Sequence, residues 1–203
     1  SKFQSNQLTR MQTMSKELRA GEKVLTESND KTIKVSGYAA KFNSETNIGG
    51  YYRESIAKGA FSDAIKNDDV RFLINHEGLP LARTKSGTLR LSEDNTGLFI
   101  EAELNLNDPD VQTIASKMER GDLDEMSFAF TPEVEKWDDS GDIPLRTLEK
   151  VNLFDVAIVT YPAYGDTEIG IRSLQSFRDT NKQKQTSHAQ TRMRTKLALR
   201  QES

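Results

Sequence analysis

A chain of 203 residues with 28 Lys and Arg against 31 Asp and Glu, 35% hydrophobic residues and no cysteine excludes several classes of protein at once. Without Cys there is no disulfide framework, no thiol nucleophile and no Cys-based zinc or iron–sulfur site, and two histidines, His76 and His188, are too few for a multi-His metal centre. No stretch approaches the roughly 18 apolar residues of a membrane span and no apolar N-terminal core reads as a signal peptide, so a soluble intracellular protein with one hydrophobic core is expected.

The net charge of −3 is unevenly divided. Arg172 to Ser203 holds eight Lys and Arg against two Asp and Glu, or +6, which leaves −9 for Ser1 to Ile171. A basic tail rich in Gln, Thr and Ser that follows an acidic body reads as a separate module, flexible until a partner orders it. The expected division is a polar N-terminal extension at 1–30, a domain at 31–172 and a basic, flexible tail at 173–203.

In the extension, Leu8, Met11, Met14 and Leu18 follow a weak helical spacing. The segment Thr32 to Phe42 (TIKVSGYAAKF) reads as a strand, Ser44 to Tyr52 as a loop, and Ser55 to Asn67 as a helix with Ile56, Phe61, Ala64 and Ile65 on one face. Asp69 to His76 is a strand, and the residues around Asn95–Gly97 turn a hairpin. Asp108 caps a helix that carries Pro109 in its first turn, Val111, Ile114, Ala115 and Met118 as its stripe, and Gly121 as its stop. Glu125 to Trp137 is a strand, Asp138 to Asp142 a turn, Ile143 to Tyr161 a long strand pair, and Thr167 to Ser173 a last short strand. The pattern predicts an α+β fold, a mostly antiparallel, β-barrel-like core with helices around it.

Three residues break the local pattern. In "MSFAF", Met126, Phe128 and Phe130 point one way, while Ser127 and Ala129 lie on a face of small side chains that other groups can approach closely. Asp155 sits in the apolar run "VNLFDVAIV", on the face of Leu153 and Ala157 by simple alternation, where a carboxylate is costly without a donor or cation. His76 closes a strand and is the one histidine of the expected domain. Each has a plain structural alternative: a packed serine, an aspartate bound to an amide or to Arg83, a histidine that ends a strand. Together they are the parts of a Ser–His–acid hydrolase, in which the imidazole takes the hydroxyl proton and the carboxylate steadies the ring.

Other chemistries find less support. There is no G-x-S-x-G elbow, so an α/β-hydrolase is disfavoured, and no Gly-rich phosphate loop. The carboxylate pairs Asp138–Asp139 and Asp122–Asp124 fall in turns, and a glycosidase needs two that converge. The tail has one aromatic residue, Phe177, so nucleic-acid binding is not expected.

From about Val35 to Arg172 the chain resembles the prohead (capsid maturation) serine proteases of tailed bacteriophages, relatives of the herpesvirus assembly proteases. The resemblance lies in the order and spacing of "GYAAKFN", "GAF", "LINHEGLPLART", "GLFIEAELN", "RGDLDEMSFAF" and "LFDVAIVTYPAY". It implies His76 of the "NH" as the catalytic base, Ser127 of an M-S-F-G-F-like motif as the nucleophile, and Asp155 as the orienting acid. The last stands where the family has Glu, and Asn152, Glu149 and Glu101 are alternatives for it. Ala129 and Ala82 stand where the family often has Gly. The resemblance further implies a herpesvirus-protease-like barrel and no metal or cofactor. The activity it implies is that of a serine endopeptidase that cleaves the scaffolding domain or N-terminal segment of the major capsid protein, and then itself. The enzyme would work inside the immature capsid in the host cytoplasm, self-associated or not and away from any membrane, with the tail holding it among acidic scaffold segments. The rival reading is a non-enzymatic scaffold or capsid-associated protein of the same fold.

Overall fold

The structure is a computed structural model and describes residues 16–161 and 167–201. The described chain runs through β1 (Glu17–Lys23), β2 (Leu25–Ser28), β3 (Thr32–Lys41), β4 (Thr46–Ile48), β5 (Tyr52–Ile56), α1 (Ser62–Asn67), β6 (Arg71–Ile74) and β7 (Glu77–Arg83). It continues through β8 (Leu89–Glu93), β9 (Gly97–Asn105), α2 (Pro109–Glu119), β10 (Glu125–Asp138), β11 (Leu145–Val159) and α3 (Thr167–Gln201).

The strands form two sheets around one core. The larger has the order β1-β10-β11-β5-β4, with β6 added to β11 and β7 to β6; the smaller has the order β2-β3-β9-β8. All pairs are antiparallel except β11 with β5 and β11 with β6. This is an α+β fold made mostly of strands, and it corrects the expected barrel: the described strands do not close into one cylinder. What joins the sheets is the run from Glu17 to Ser28, which edges the larger sheet as β1, turns at Val24 and edges the smaller one as β2. The Val24 amide at the turn donates to the Asp124 carbonyl at 2.8 Å. Two close approaches leave no room for side chains: within the smaller sheet a Cβ on Gly97 of β9 would sit 1.9 Å from the Ala40 carbonyl oxygen of β3, and where β1 of the larger sheet meets β3 of the smaller a Cβ on Gly21 would sit 2.6 Å from the Ala39 carbonyl oxygen.

Alternation along β10 sends Met126, Phe128 and Phe130 into the main core, where Phe128 meets Phe61 edge-on at 5.7 Å. α2 buries Val111, Ile114, Ala115 and Met118, the predicted stripe, and the Asp108 carboxylate caps it by accepting from the Asp110 amide. Other elements differ from expectation. Residues 143–161 hold one long strand, not a pair, and the helix expected from Ser55 is the short α1, because Tyr52–Ile56 pairs with β4 and β11 instead. Glu77–Arg83 is a strand that the sequence pattern did not reveal.

Secondary structure also lies on both sides of residues 31–172. Both sheets begin upstream of Lys31, with β1 and β2, so Leu18 lies in a strand and not in a helix; Leu8, Met11 and Met14 fall outside the described residues. Thr167 to Ser173, expected as a strand, opens the 35-residue helix α3, which runs on through the segment expected as a flexible tail. Ile171, Leu174 and Phe177 recur at helical spacing; Leu174 is buried and Phe177 packs on Trp137 of β10 at 6.4 Å. Arg178 adds a paired contact to Asp139 in the turn after β10. No described helix is long and apolar enough to cross a membrane.

Candidate active site

β11 lies inside the larger sheet, with β10 on one side and β6 on the other, and it contains a register break beside Asp155. Ala129 opposes Asp155 but Phe130 opposes Leu153, so Phe154 is an extra residue in the ladder. The bulge reverses the phase of the strand. Val151 and Leu153 before it and Val156 and Ile158 after it all enter the main core, while Ala157 belongs to a small separate cluster with Leu73 and Val159. Asp155 therefore shares a face with Ala157 and not with Leu153, which corrects the face expected from uninterrupted alternation.

His76 reaches that face from a tight turn. Ile74 of β6 pairs with Glu77 of β7, which leaves Asn75 and His76 as a two-residue hairpin loop, both with positive φ (50° and 61°). From the turn the imidazole Nδ1 lies 2.5 Å from Asp155 Oδ1, with the ring 11% and the carboxylate 4% exposed. The other ring nitrogen, Nε2, is buried and has no hydrogen-bond partner among the described residues. Lys16 Nζ lies 3.7 Å from Asp155 Oδ2 and 4.7 Å from the centre of the Phe154 ring.

Ser127 is cross-strand neighbour to Ala157, so it and Asp155 are diagonal neighbours on one face of paired strands. Its side chain is fully buried, and its hydroxyl donates not to His76 but to the backbone carbonyl of Arg19 on β1, at 2.8 Å. Strand pairing holds β1 in that place, with Ala20 opposite Ser127, and so does a cluster of buried charges. Arg146 grips Glu17 with both terminal nitrogens (2.7 and 2.9 Å) and also donates to Glu54 and Glu135. Arg19 donates to Glu54 at 2.5 Å and to Glu17 at 2.7 Å. Burial alone pushes the Glu17 carboxyl up, but the hydrogen bonds and charges of Arg146 and Arg19 outweigh it and hold it below its ordinary value. Burial pushes the neighbouring Tyr52 phenol up to about 12.

The sequence alternatives for the acid go elsewhere. Glu149 pairs with Lys136, Glu101 with Lys34, and Asn152 stands opposite Thr131. Arg83, the cation considered for Asp155, instead holds Asp69. Among the described residues no three His, Asp or Glu side chains gather to hold a metal ion. A cleft of about 250 Å³ between β1 and β4, lined by Arg19, Glu54 and Phe128, touches none of Ser127, His76 and Asp155. Asn75, Lys16 and the Arg19 carbonyl escaped the sequence reading. Only the "NH" dipeptide carried a signal for one of them, since Asn is the favoured first residue of such a turn.

An imidazole ordered by a buried carboxylate, on the sheet face that carries a serine, is the arrangement met in serine hydrolases. The family model of the caudovirus prohead serine proteases matches residues 19–183, and the chain belongs to that family: it is a phage capsid-maturation protease. Among solved structures it is similar to the bacteriophage T4 capsid assembly protease, gp21, at 11% identity and a TM-score of 0.41, over 71% of this chain and 99% of that one. No curated protein matches the chain.

Proposed function

We propose that the chain is a serine endopeptidase with Ser127 as nucleophile, His76 as general base and acid, and Asp155 as orienting acid. The observation that carries the reading is the His76–Asp155 hydrogen bond with Nε2 buried and, among the described residues, unpartnered. Asp155 accepts from Nδ1–H and so leaves Nε2 basic. Rotation of the Ser127 hydroxyl away from the Arg19 carbonyl offers its proton to Nε2, while Oγ bonds to the scissile carbonyl carbon. The imidazolium then protonates the leaving amine, the C–N bond breaks, and water hydrolyses the acyl-enzyme by the same proton route in reverse. The mechanism needs no metal or cofactor.

The substrate is the scaffolding domain or N-terminal segment of the major capsid protein, and then the protease itself. The place of action is the interior of the immature capsid in the host cytoplasm, where crowding favours weak self-association and contact with the capsid protein. The test is co-expression with the capsid protein and mass spectrometry of the products. Wild type is expected to cleave, and Ser127→Ala and His76→Gln are expected not to; cleavage by Ser127→Ala removes that residue from the mechanism.

One observation favours a second reading, a scaffold or capsid-associated protein of the same fold: Ser127 is fully buried and its hydroxyl is committed to β1. Intact capsid protein in every arm of the experiment supports that reading.

A further inference from the structure

We infer that Asn75 is a positioning residue for His76, which it acts through by stitching the hairpin turn to the end of β11. The inference rests on the reading of His76 as the base and adds a residue to it. A non-glycine side chain at positive φ is strained, and it persists where its surroundings over-determine it. Here two such residues follow one another, and the second carries the imidazole.

What over-determines the turn is Asn75. Its amide N–H donates to the Ile158 carbonyl at 3.0 Å. Its side-chain oxygen accepts from the Thr160 amide at 2.9 Å, and its side-chain nitrogen donates to Thr160 Oγ1 at 3.3 Å. All three bonds reach residues just beyond Asp155, Ile158 in the same strand and Thr160 immediately after its end. Asn75 thus couples the backbone that carries the imidazole to the backbone that carries the carboxylate, and the 2.5 Å contact between them depends on that spacing. A catalytic pair of this kind must be held to within about 0.5 Å, and its support comes from neighbours such as this one. Asn also tolerates the left-handed backbone that the turn requires, so one residue meets both demands.

The roles separate by substitution. Asn75→Gly keeps the backbone conformation and loses both side-chain bonds. Asn75→Asp tolerates the conformation and keeps the acceptor for the Thr160 amide. Two readouts are taken on the full chain: kcat and KM for cleavage of the capsid protein, and the low-field proton resonance of a histidine Nδ1–H bonded to a carboxylate, assigned by its loss in His76→Gln. Asn75→Gly is expected to lower kcat about 100-fold with KM little changed, and to broaden or abolish the resonance. Asn75→Asp is expected to restore kcat to within a few-fold of wild type and to return the resonance. A full-strength resonance in Asn75→Gly, or a loss of activity that only tracks the unfolded fraction seen in thermal melts, overturns the inference. If wild type itself does not cleave, the protease reading fails by the kinetic arm, while the resonance still decides whether Asn75 sets the His76–Asp155 contact.

Discussion

His76 Nδ1 and Asp155 Oδ1 lie 2.5 Å apart across 79 residues of sequence, one on a hairpin turn and the other beside a bulge. Replacing Asp155 with Asn keeps the shape but offers an amide that can force the wrong tautomer on the ring. Such an exchange in a serine protease lowers kcat by about 10⁴. Asp155→Asn is expected to lose activity on that order while its melting temperature stays near wild type; kinetics on the capsid protein together with a thermal melt check both.

Arg146 is fully buried and holds three carboxylates, Glu17, Glu54 and Glu135. Arg146→Met leaves Glu17 and Glu54 with Arg19 as their remaining cation in the cluster. Breaking a buried charge network from one side costs about 3–5 kcal/mol, because the stranded charges stay out of water. The urea midpoint is expected to fall accordingly. Since Glu17 and Arg19 fix β1, the Ser127–Arg19 contact is expected to loosen with it.

The same cluster gives a pH dependence of known sign. The Glu17 carboxyl is held below its ordinary 4.5, so the unfolded chain takes up the proton first. Its contribution to stability is complete above pH 4.5 and is lost as the pH falls below that value. Tyr52 acts at the other end: its phenol is raised from 10.0 to about 12, so its contribution is complete below pH 10 and is lost as the pH climbs through 12. Denaturant midpoints measured against pH are expected to show both declines. The acid decline is expected to be shallower in Glu17→Gln and the alkaline one shallower in Tyr52→Phe.

The close approach of β9 to β3 admits no side chain at Gly97, and that of β1 to β3 admits none at Gly21; at both, an added Cβ meets backbone and not a movable side chain. Gly97→Ala is expected to destabilise by about 1–3 kcal/mol or more through overpacking, and Gly21→Ala by somewhat less. Gly141→Ala has only the Ile143 carbonyl oxygen in ordinary contact, at 3.8 Å, and serves as the neutral control in thermal melts.

Much of this was legible in the sequence because it depends on neighbours along the chain. Two-residue alternation in "MSFAF" put Ser127 opposite the core, and Asp108 with Pro109 announced α2. The misreadings share a cause. "TEIGIRS" is too short to separate strand from helix without Leu174 and Phe177 beyond it, and the polarity of residues 17–28 concealed strands whose buried charges, Glu17 and Arg19, are met by Arg146 and Glu54 from distant segments.

By itself the sequence determined the residue types available for chemistry, the one histidine of the domain, the face of Ser127 and, in outline, the strands β3, β6, β10 and β11 and the β8–β9 hairpin. Tertiary structure alone decided which way Asp155 points, because the extra residue at Phe154 becomes a bulge only against the register of β10. It also decided that the Ser127 hydroxyl rests on the Arg19 carbonyl, a bond spanning 108 residues. Periodicity reports what each residue turns toward its own strand or helix; it carries no information on how two distant strands are aligned, and both of these contacts are consequences of that alignment.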